Sequence, residues 1–137
     1  MVRITRAVEF SSSLRYRRAG LSETENRRLF GRAAHSHGHN YRLEVTLAGE
    51  PDPVSGMVLD LKELKDLLER EIVARFDHKD LVADTPFFEK EVPTPENLAA
   101  LLFRLLEAAL PAGMLAAVRL HQGPDCFVDV TAPERIA

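Results

Sequence analysis

The hydrophobic pattern of this 137-residue chain changes its period twice, and this change limits the possible folds more than any other feature. Residues 2–10 and 37–47 alternate between apolar and polar or small side chains, which predicts two strands with one buried face each. Residues 61–76 and 95–106 carry apolar side chains every three or four positions, which predicts two amphipathic helices. Residues 118–120 and 127–130 flank a Gly-Pro-Asp turn and predict two final strands.

Capping residues support these boundaries. Asp60 and Thr94 stand directly before the two helical stretches, and Ser22 with Glu25 has the spacing of a capping box, which predicts a further short helix ending at Gly31. The serines at positions 11–13 are expected to close the first strand. The predicted fold is a single α+β domain over residues 1–137, an antiparallel sheet in the order strand-strand-helix-helix-strand-strand with the two helices on one face. Because such a sheet has two open edges, subunits are expected to pair into a homo-oligomeric ring.

Composition excludes several classes of protein. The net charge is -3 and no basic block is present, so nucleic acid is not an expected partner. The apolar runs are too short to span a bilayer, and the first residues have a strand pattern rather than that of a signal peptide. The single cysteine, Cys126, excludes an internal disulfide, fits the cytoplasm and is expected to be packed among apolar neighbours.

The segment from His35 to His39 carries the strongest chemical signal. On an extended strand, His37 and His39 point the same way and can present two imidazoles to one metal ion, with Gly38 leaving room between them. His35 can add a third ligand only if the chain curls. The alternative is a histidine-rich loop end with ordinary hydrogen bonds.

Two further polar groups are candidates for chemistry. Asp77 is next to His78, and a carboxylate can orient an imidazole for proton transfer. The alternative is a structural role, in which the helix dipole stabilises a histidine at the C-terminus of the helix. Thr94 and Glu96 begin the last helix, where exposed amides can meet a polar ligand. Gln122 ends a predicted strand and offers both a donor and an acceptor.

Taken in order, six stretches of the sequence resemble the 6-pyruvoyl-tetrahydropterin synthase and 6-carboxy-tetrahydropterin synthase family. They are residues 10–13 (Phe-Ser-Ser-Ser), 29–32 (Leu-Phe-Gly-Arg), 37–41 (His-Gly-His-Asn-Tyr), 56–61 (Gly-Met-Val-Leu-Asp-Leu), 76–81 (Phe-Asp-His-Lys-Asp-Leu) and 93–97 (Pro-Thr-Pro-Glu-Asn). The resemblance implies the tunnelling fold, whose subunits form trimeric barrels that commonly pair into hexamers.

The resemblance also implies a chemistry. In the family, three histidines bind zinc, which polarises the substrate side chain, and a cysteine aided by an Asp-His pair moves protons. A glutamate anchors the pterin ring. The substrate, dihydroneopterin triphosphate, loses its triphosphate to give the pyruvoyl product, a carbon–oxygen lyase reaction, or has its side chain cleaved to give the carboxy product.

Carrying these roles over places His37 and His39 at two zinc positions, Asp77 and His78 at the assisting pair, and Gln122 at the substrate-anchoring position. Thr94 and Glu96, at the start of the last helix, are the other candidate substrate-binding residues. The first zinc position holds Leu14, the cysteine position holds Ala33, and the anchoring glutamate is replaced by Gln122. Leucine has no lone pair for zinc and alanine cannot take a proton, so an altered site is expected, with zinc binding dependent on another ligand. The alternative is a non-catalytic pterin-binding or structural subunit.

Overall fold

The computed structural model describes residues 1–133 and has the α+β architecture predicted from the sequence. A five-stranded sheet has the order β3-β1-β2-β4-β5. The strands are β1 (Val2–Leu14), β2 (His37–Gly49), β3 (Lys79–Asp80), β4 (Leu115–Gly123) and β5 (Cys126–Thr131). The helices are α1 (Glu23–Phe30), α2 (Leu61–Leu68), α3 (Ala74–Phe76) and α4 (Pro95–Ala109).

The core lies between one face of the sheet and the helices. Alternate residues of β2, including Leu43, Val45 and Leu47, are fully buried, while the intervening residues face outward. Apolar residues of α2 and α4, such as Leu64 and Leu102, join the same buried cluster. The amphipathic strands and helices therefore turn their apolar faces toward this core, as the period of their sequences predicts. Among residues 1–133, no helix has the length and apolar character needed to cross a membrane.

The first strand is longer than predicted. The serines at 11–13 do not close β1, which pairs antiparallel with β2 from Val2 to Leu14. Their hydroxyl groups have partners outside the strand, which explains why polar residues continue it: Ser12 Oγ donates to the Phe76 carbonyl at 2.7 Å, and Ser13 Oγ donates to Asp80 Oδ2 at 2.8 Å. The two-residue strand β3 lies parallel to this end of β1, so the sheet is mixed.

The predicted caps are confirmed. Ser22, Asp60 and Thr94 each accept a backbone N–H of the helix that follows, and Gly31 ends α1 with a positive φ of 61°. A π-helical turn, Glu69–Val73, joins α2 to α3. A turn of this kind adds one residue to the local repeat and is frequent near functional sites. Only the three residues of α3 separate it from the Asp77–His78 pair.

Candidate functional site

The structure brings His37 and His39 together at the start of β2. Their ring centroids are 5.2 Å apart and the planes are nearly perpendicular, at 84°. A carbonyl oxygen can only accept, so the 2.7 Å bond between His37 Nδ1 and the His35 carbonyl places the His37 proton on Nδ1. His35 therefore contributes its backbone to the pair, and its side chain is exposed.

The glycine between the two histidines is explained by the neighbouring strand. Gly38 lies opposite Ser13 of β1, and a Cβ atom at Gly38 would stand 3.2 Å from the carbonyl oxygen of Ser12. Glycine thus allows close approach of β1, and the group that approaches is backbone.

Gln122 reaches His39 from the end of β4. The Gln122 Nε2 and His39 Nε2 atoms are 3.2 Å apart, although the residues are 83 positions apart in the sequence. An amide nitrogen only donates, so His39 accepts through Nε2 and is neutral with its proton on Nδ1. Burial lowers the pKa of His39, and the nearby His37 lowers it further. Both effects favour the neutral imidazole that this hydrogen bond requires.

The position implied for a third zinc ligand is apolar. Leu14 lies directly opposite His37 in the β1–β2 register, and its side chain is buried with 1% of its surface exposed. Within residues 1–133, no three His, Cys, Asp or Glu side chains are arranged to hold a metal ion. A catalytic zinc ion normally has three protein ligands. The described residues therefore do not fit the three-histidine site that the family resemblance implies.

Asp77 and His78 lie beside β1 at the same end of the sheet. Asp77 Oδ1 accepts the Ser11 N–H at 2.8 Å, and the His78 N–H donates to the Ser11 carbonyl at 2.7 Å. The other carboxylate oxygen, Asp77 Oδ2, is 3.7 Å from His78 Nε2. The backbone of both residues is fixed to β1, while the imidazole is 86% exposed. The pair therefore offers a solvent-facing imidazole next to a fixed carboxylate.

An open polar depression lies at this end of the sheet. It has a volume of about 420 Å³, and its lining includes Ser11, Asn40, His39 and His78. Ser11 Oγ donates to Asn40 Oδ1 at 2.7 Å across the two strands. Because side chains alternate between faces along a strand, this Ser11–Asn40 pair lies on the opposite face of the sheet from the His37 and His39 side chains.

Thr94 and Glu96 are placed at the start of α4. Thr94 Oγ1 accepts the Asn97 N–H at 3.1 Å, so its hydroxyl is engaged as a helix cap, and Glu96 is exposed. Burial raises the pKa of Tyr16, and the negative charge of Glu96 raises it further, as does Cys126. The Tyr16 ring lies 6.0 Å from that of His37.

Tyr16 was not among the residues selected from the sequence, because it follows the alternating segment and belongs to no motif. Its backbone N–H donates to the carbonyl of Ala33 at 2.7 Å, at the position where the resemblance implies a cysteine. The prediction for Cys126 was wrong: this cysteine is exposed at the start of β5, an edge strand whose next residue, Phe127, is exposed as well.

The fold and this polar end of the sheet define an α+β protein of the tunnelling-fold class. The family model for 6-pyruvoyl tetrahydropterin synthase matches residues 3–133, and the chain belongs to that family. It is 41% identical over 121 residues to the 6-pyruvoyl tetrahydrobiopterin synthase of Poecilia reticulata, and the matched region covers 87% of this chain and 82% of the relative.

A solved structure and a further relative are also similar to this chain. The structure of Caenorhabditis elegans 6-pyruvoyl tetrahydropterin synthase has a TM-score of 0.88 and 34% identity, covering 96% of each chain. The 6-carboxy-5,6,7,8-tetrahydropterin synthase of Rickettsia conorii is 27% identical over 148 residues, covering 95% of this chain and all of the relative.

Proposed function

We propose that the protein is a lyase acting on dihydroneopterin triphosphate or a related pterin, with Asp77 and His78 as its proton-transfer pair. The site is altered at Leu14, Ala33 and Gln122, so the family's standard zinc and cysteine chemistry does not carry over to this chain. The proposal rests on family membership for the substrate class and on the geometry of Asp77 and His78 for the chemistry.

The backbone of His78 is the observation that carries the proposal. His78 has a φ of 57°, the one positive value at a non-glycine residue within residues 1–133. A side chain in this conformation costs free energy, and such costs persist mostly where function requires them. Here the strained residue is an exposed imidazole next to a carboxylate, which is the arrangement that general base catalysis uses.

The chemistry assigned to the pair is a proton transfer. Asp77, fixed by the Ser11 N–H, orients the His78 ring and stabilises its protonated form. His78 removes a proton from the substrate carbon next to the one that bears the phosphate ester. The electrons of that C–H bond form a carbon–carbon double bond, the ester C–O bond breaks, and triphosphate leaves.

Sequence similarity favours the elimination of triphosphate over side-chain cleavage. The identity is 41% with a pyruvoyl-type synthase and 27% with a carboxy-type synthase over comparable lengths. The pyruvoyl-type reaction is therefore the first activity to test.

A non-catalytic pterin-binding subunit is the second candidate. Ala33 at the cysteine position has no side chain that can exchange a proton. Gln122 keeps an acceptor oxygen but has no charge, which weakens hydrogen bonds to the donor groups of a pterin ring. This candidate predicts pterin binding without turnover.

The deciding experiment incubates the protein with dihydroneopterin triphosphate and follows triphosphate release and the pterin products by chromatography and mass spectrometry. His78→Asn is the sharpest variant, because asparagine tolerates a positive φ but lacks the imidazole. We expect turnover to fall by about a hundredfold or more in His78→Asn, with substrate affinity retained. Lys62→Ala, an exposed change on α2 away from this depression, is the control. Binding without turnover in the wild type would favour the second candidate, and unchanged turnover in His78→Asn would refute the role of His78.

Assembly into a trimer or hexamer is also proposed. Within residues 1–133, β1 pairs with β3 only at Ser12 and Ser13, so its outer edge from residue 2 to residue 10 has no strand partner. β5 pairs on one side only, with β4. Two unpaired edges on one sheet favour strand pairing between copies.

A further inference from the structure

The hydrogen bond between Gln122 and His39 gives the histidine pair a role other than zinc binding. We infer that Leu14 and Gln122 together make the family's metal position a metal-free cluster, in which His39 fixes the orientation of the Gln122 amide. This inference concerns the same site as the proposed function, and it takes from that proposal only the identity of the ligand as a pterin.

Leu14 is the cross-strand neighbour of His37. A residue opposite His37 in an antiparallel pair has its Cβ within about 5.5 Å of that histidine's Cβ and on the same face. The register places Leu14 there, and its side chain belongs to the buried apolar core. Two imidazoles remain as donors, and a catalytic zinc site takes three protein ligands.

His39 already has a hydrogen-bond partner at its Nε2 atom. Its Nε2 atom accepts from the Gln122 amide at 3.2 Å, so a metal ion must displace that amide before His39 can act as a ligand through Nε2. Loss of one such hydrogen bond lowers metal affinity by roughly fivefold. Both residues lower the affinity for a metal ion, because Leu14 supplies no ligand atom and Gln122 occupies one of the two imidazoles that remain.

The same hydrogen bond sets the orientation of the Gln122 amide. With its Nε2 atom bound to His39, the amide turns its Oε1 atom away from the imidazole, where it is a single uncharged acceptor. A single acceptor matches one N–H of a pterin ring, whereas a carboxylate has a charge and four lone pairs. His39 is therefore a positioning residue that acts through Gln122.

Zinc binding to the purified, tag-free protein tests the inference without any substrate. Calorimetric titration with zinc chloride and elemental analysis are applied to the wild type, Leu14→His and Leu14→Phe. We expect no stoichiometric zinc in the wild type and one zinc per chain in Leu14→His, bound at least about a hundredfold more tightly than in Leu14→Phe. Leu14→Phe is the matched control, because it has a ring of similar size without a donor nitrogen.

Two results would overturn the inference: stoichiometric zinc in the wild-type protein, or equal zinc affinity in Leu14→His and Leu14→Phe. Since Leu14 is buried and its variants can fail to fold, a second measurement uses the wild type alone. In the two-bond ¹H–¹⁵N NMR spectrum, we expect His39 Nε2 to be an unprotonated acceptor whose signal does not change on addition of zinc. A zinc-dependent shift of that signal refutes the inference, whereas absence of turnover with pterins affects only the proposed function.

Discussion

At the scale of single residues, Leu14 links the stability of the fold to the chemistry of the site. Its side chain is almost fully buried among the apolar residues of the sheet and helices. Burial of a leucine stabilises a protein by about 2 kcal/mol, whereas a neutral histidine at the same place needs a metal ion or a hydrogen-bond partner to offset its desolvation. At the position where the family resemblance implies a zinc ligand, this chain therefore has a residue that stabilises the core.

Asp80 gives a prediction at the same scale. Burial alone would raise its pKa, but hydrogen bonds from the Ala83 N–H, the Ser13 hydroxyl and the Val82 N–H outweigh burial and hold the pKa below 3.8. A carboxyl group with a lowered pKa in the folded state stabilises the protein above pH 3.8, and this contribution is lost as the pH falls through the folded-state value.

We therefore expect Asp80→Asn to lower the free energy of unfolding by about 1 kcal/mol at pH 7, with a smaller difference from wild type near pH 3. Urea denaturation followed by circular dichroism at both pH values measures this. Asp66→Asn, an exposed change on α2, is the control and should have no effect. An equal difference at both pH values contradicts the prediction.

At the scale of elements, periodicity and capping chemistry predicted most of the fold, because both depend on residues close in sequence. The alternation along β2 and the caps at Asp60 and Thr94 are examples. The continuation of β1 through Ser12 was not predictable, since its hydroxyl partner is the carbonyl of Phe76 on a distant element. The π-helical turn before α3 was also missed, because no residue type marks such a turn.

Thr94 tests whether a residue of the pterin-synthase motif acts as a cap. Its hydroxyl accepts the Asn97 N–H at the start of α4. We expect Thr94→Ala to lower the free energy of unfolding by about 1 kcal/mol, and Thr94→Ser to retain both stability and pterin affinity, because serine keeps the hydroxyl. Thermal denaturation and fluorescence titration with a reduced pterin measure the two quantities. Wild-type stability in Thr94→Ala would contradict the capping role.

At the scale of the whole molecule, the site depends on contacts that no local pattern reveals. The sequence identified His37 and His39 as neighbours because they are two positions apart on a strand. It could not show that Gln122 binds His39, since that contact depends on the pairing of β2 with β4. Nor could it show that, among the residues the structure describes, the outer edge of β1 has no strand partner over residues 2–10, which depends on the short length of β3.

The unpaired edge leads to the last prediction. The Ser11 N–H and carbonyl face away from β2, toward Asp77 and His78, so alternate residues before it, including Ala7, face the same outer edge. Ala7→Pro therefore removes an outward N–H and leaves the β1–β2 bonds intact, whereas Val8→Pro breaks one of them. By light scattering we expect a trimer or hexamer for the wild type and smaller species for Ala7→Pro with an unchanged circular dichroism spectrum. Val8→Pro should unfold. A wild-type monomer, or an Ala7→Pro assembly as stable as wild type, would show that this edge does not join subunits.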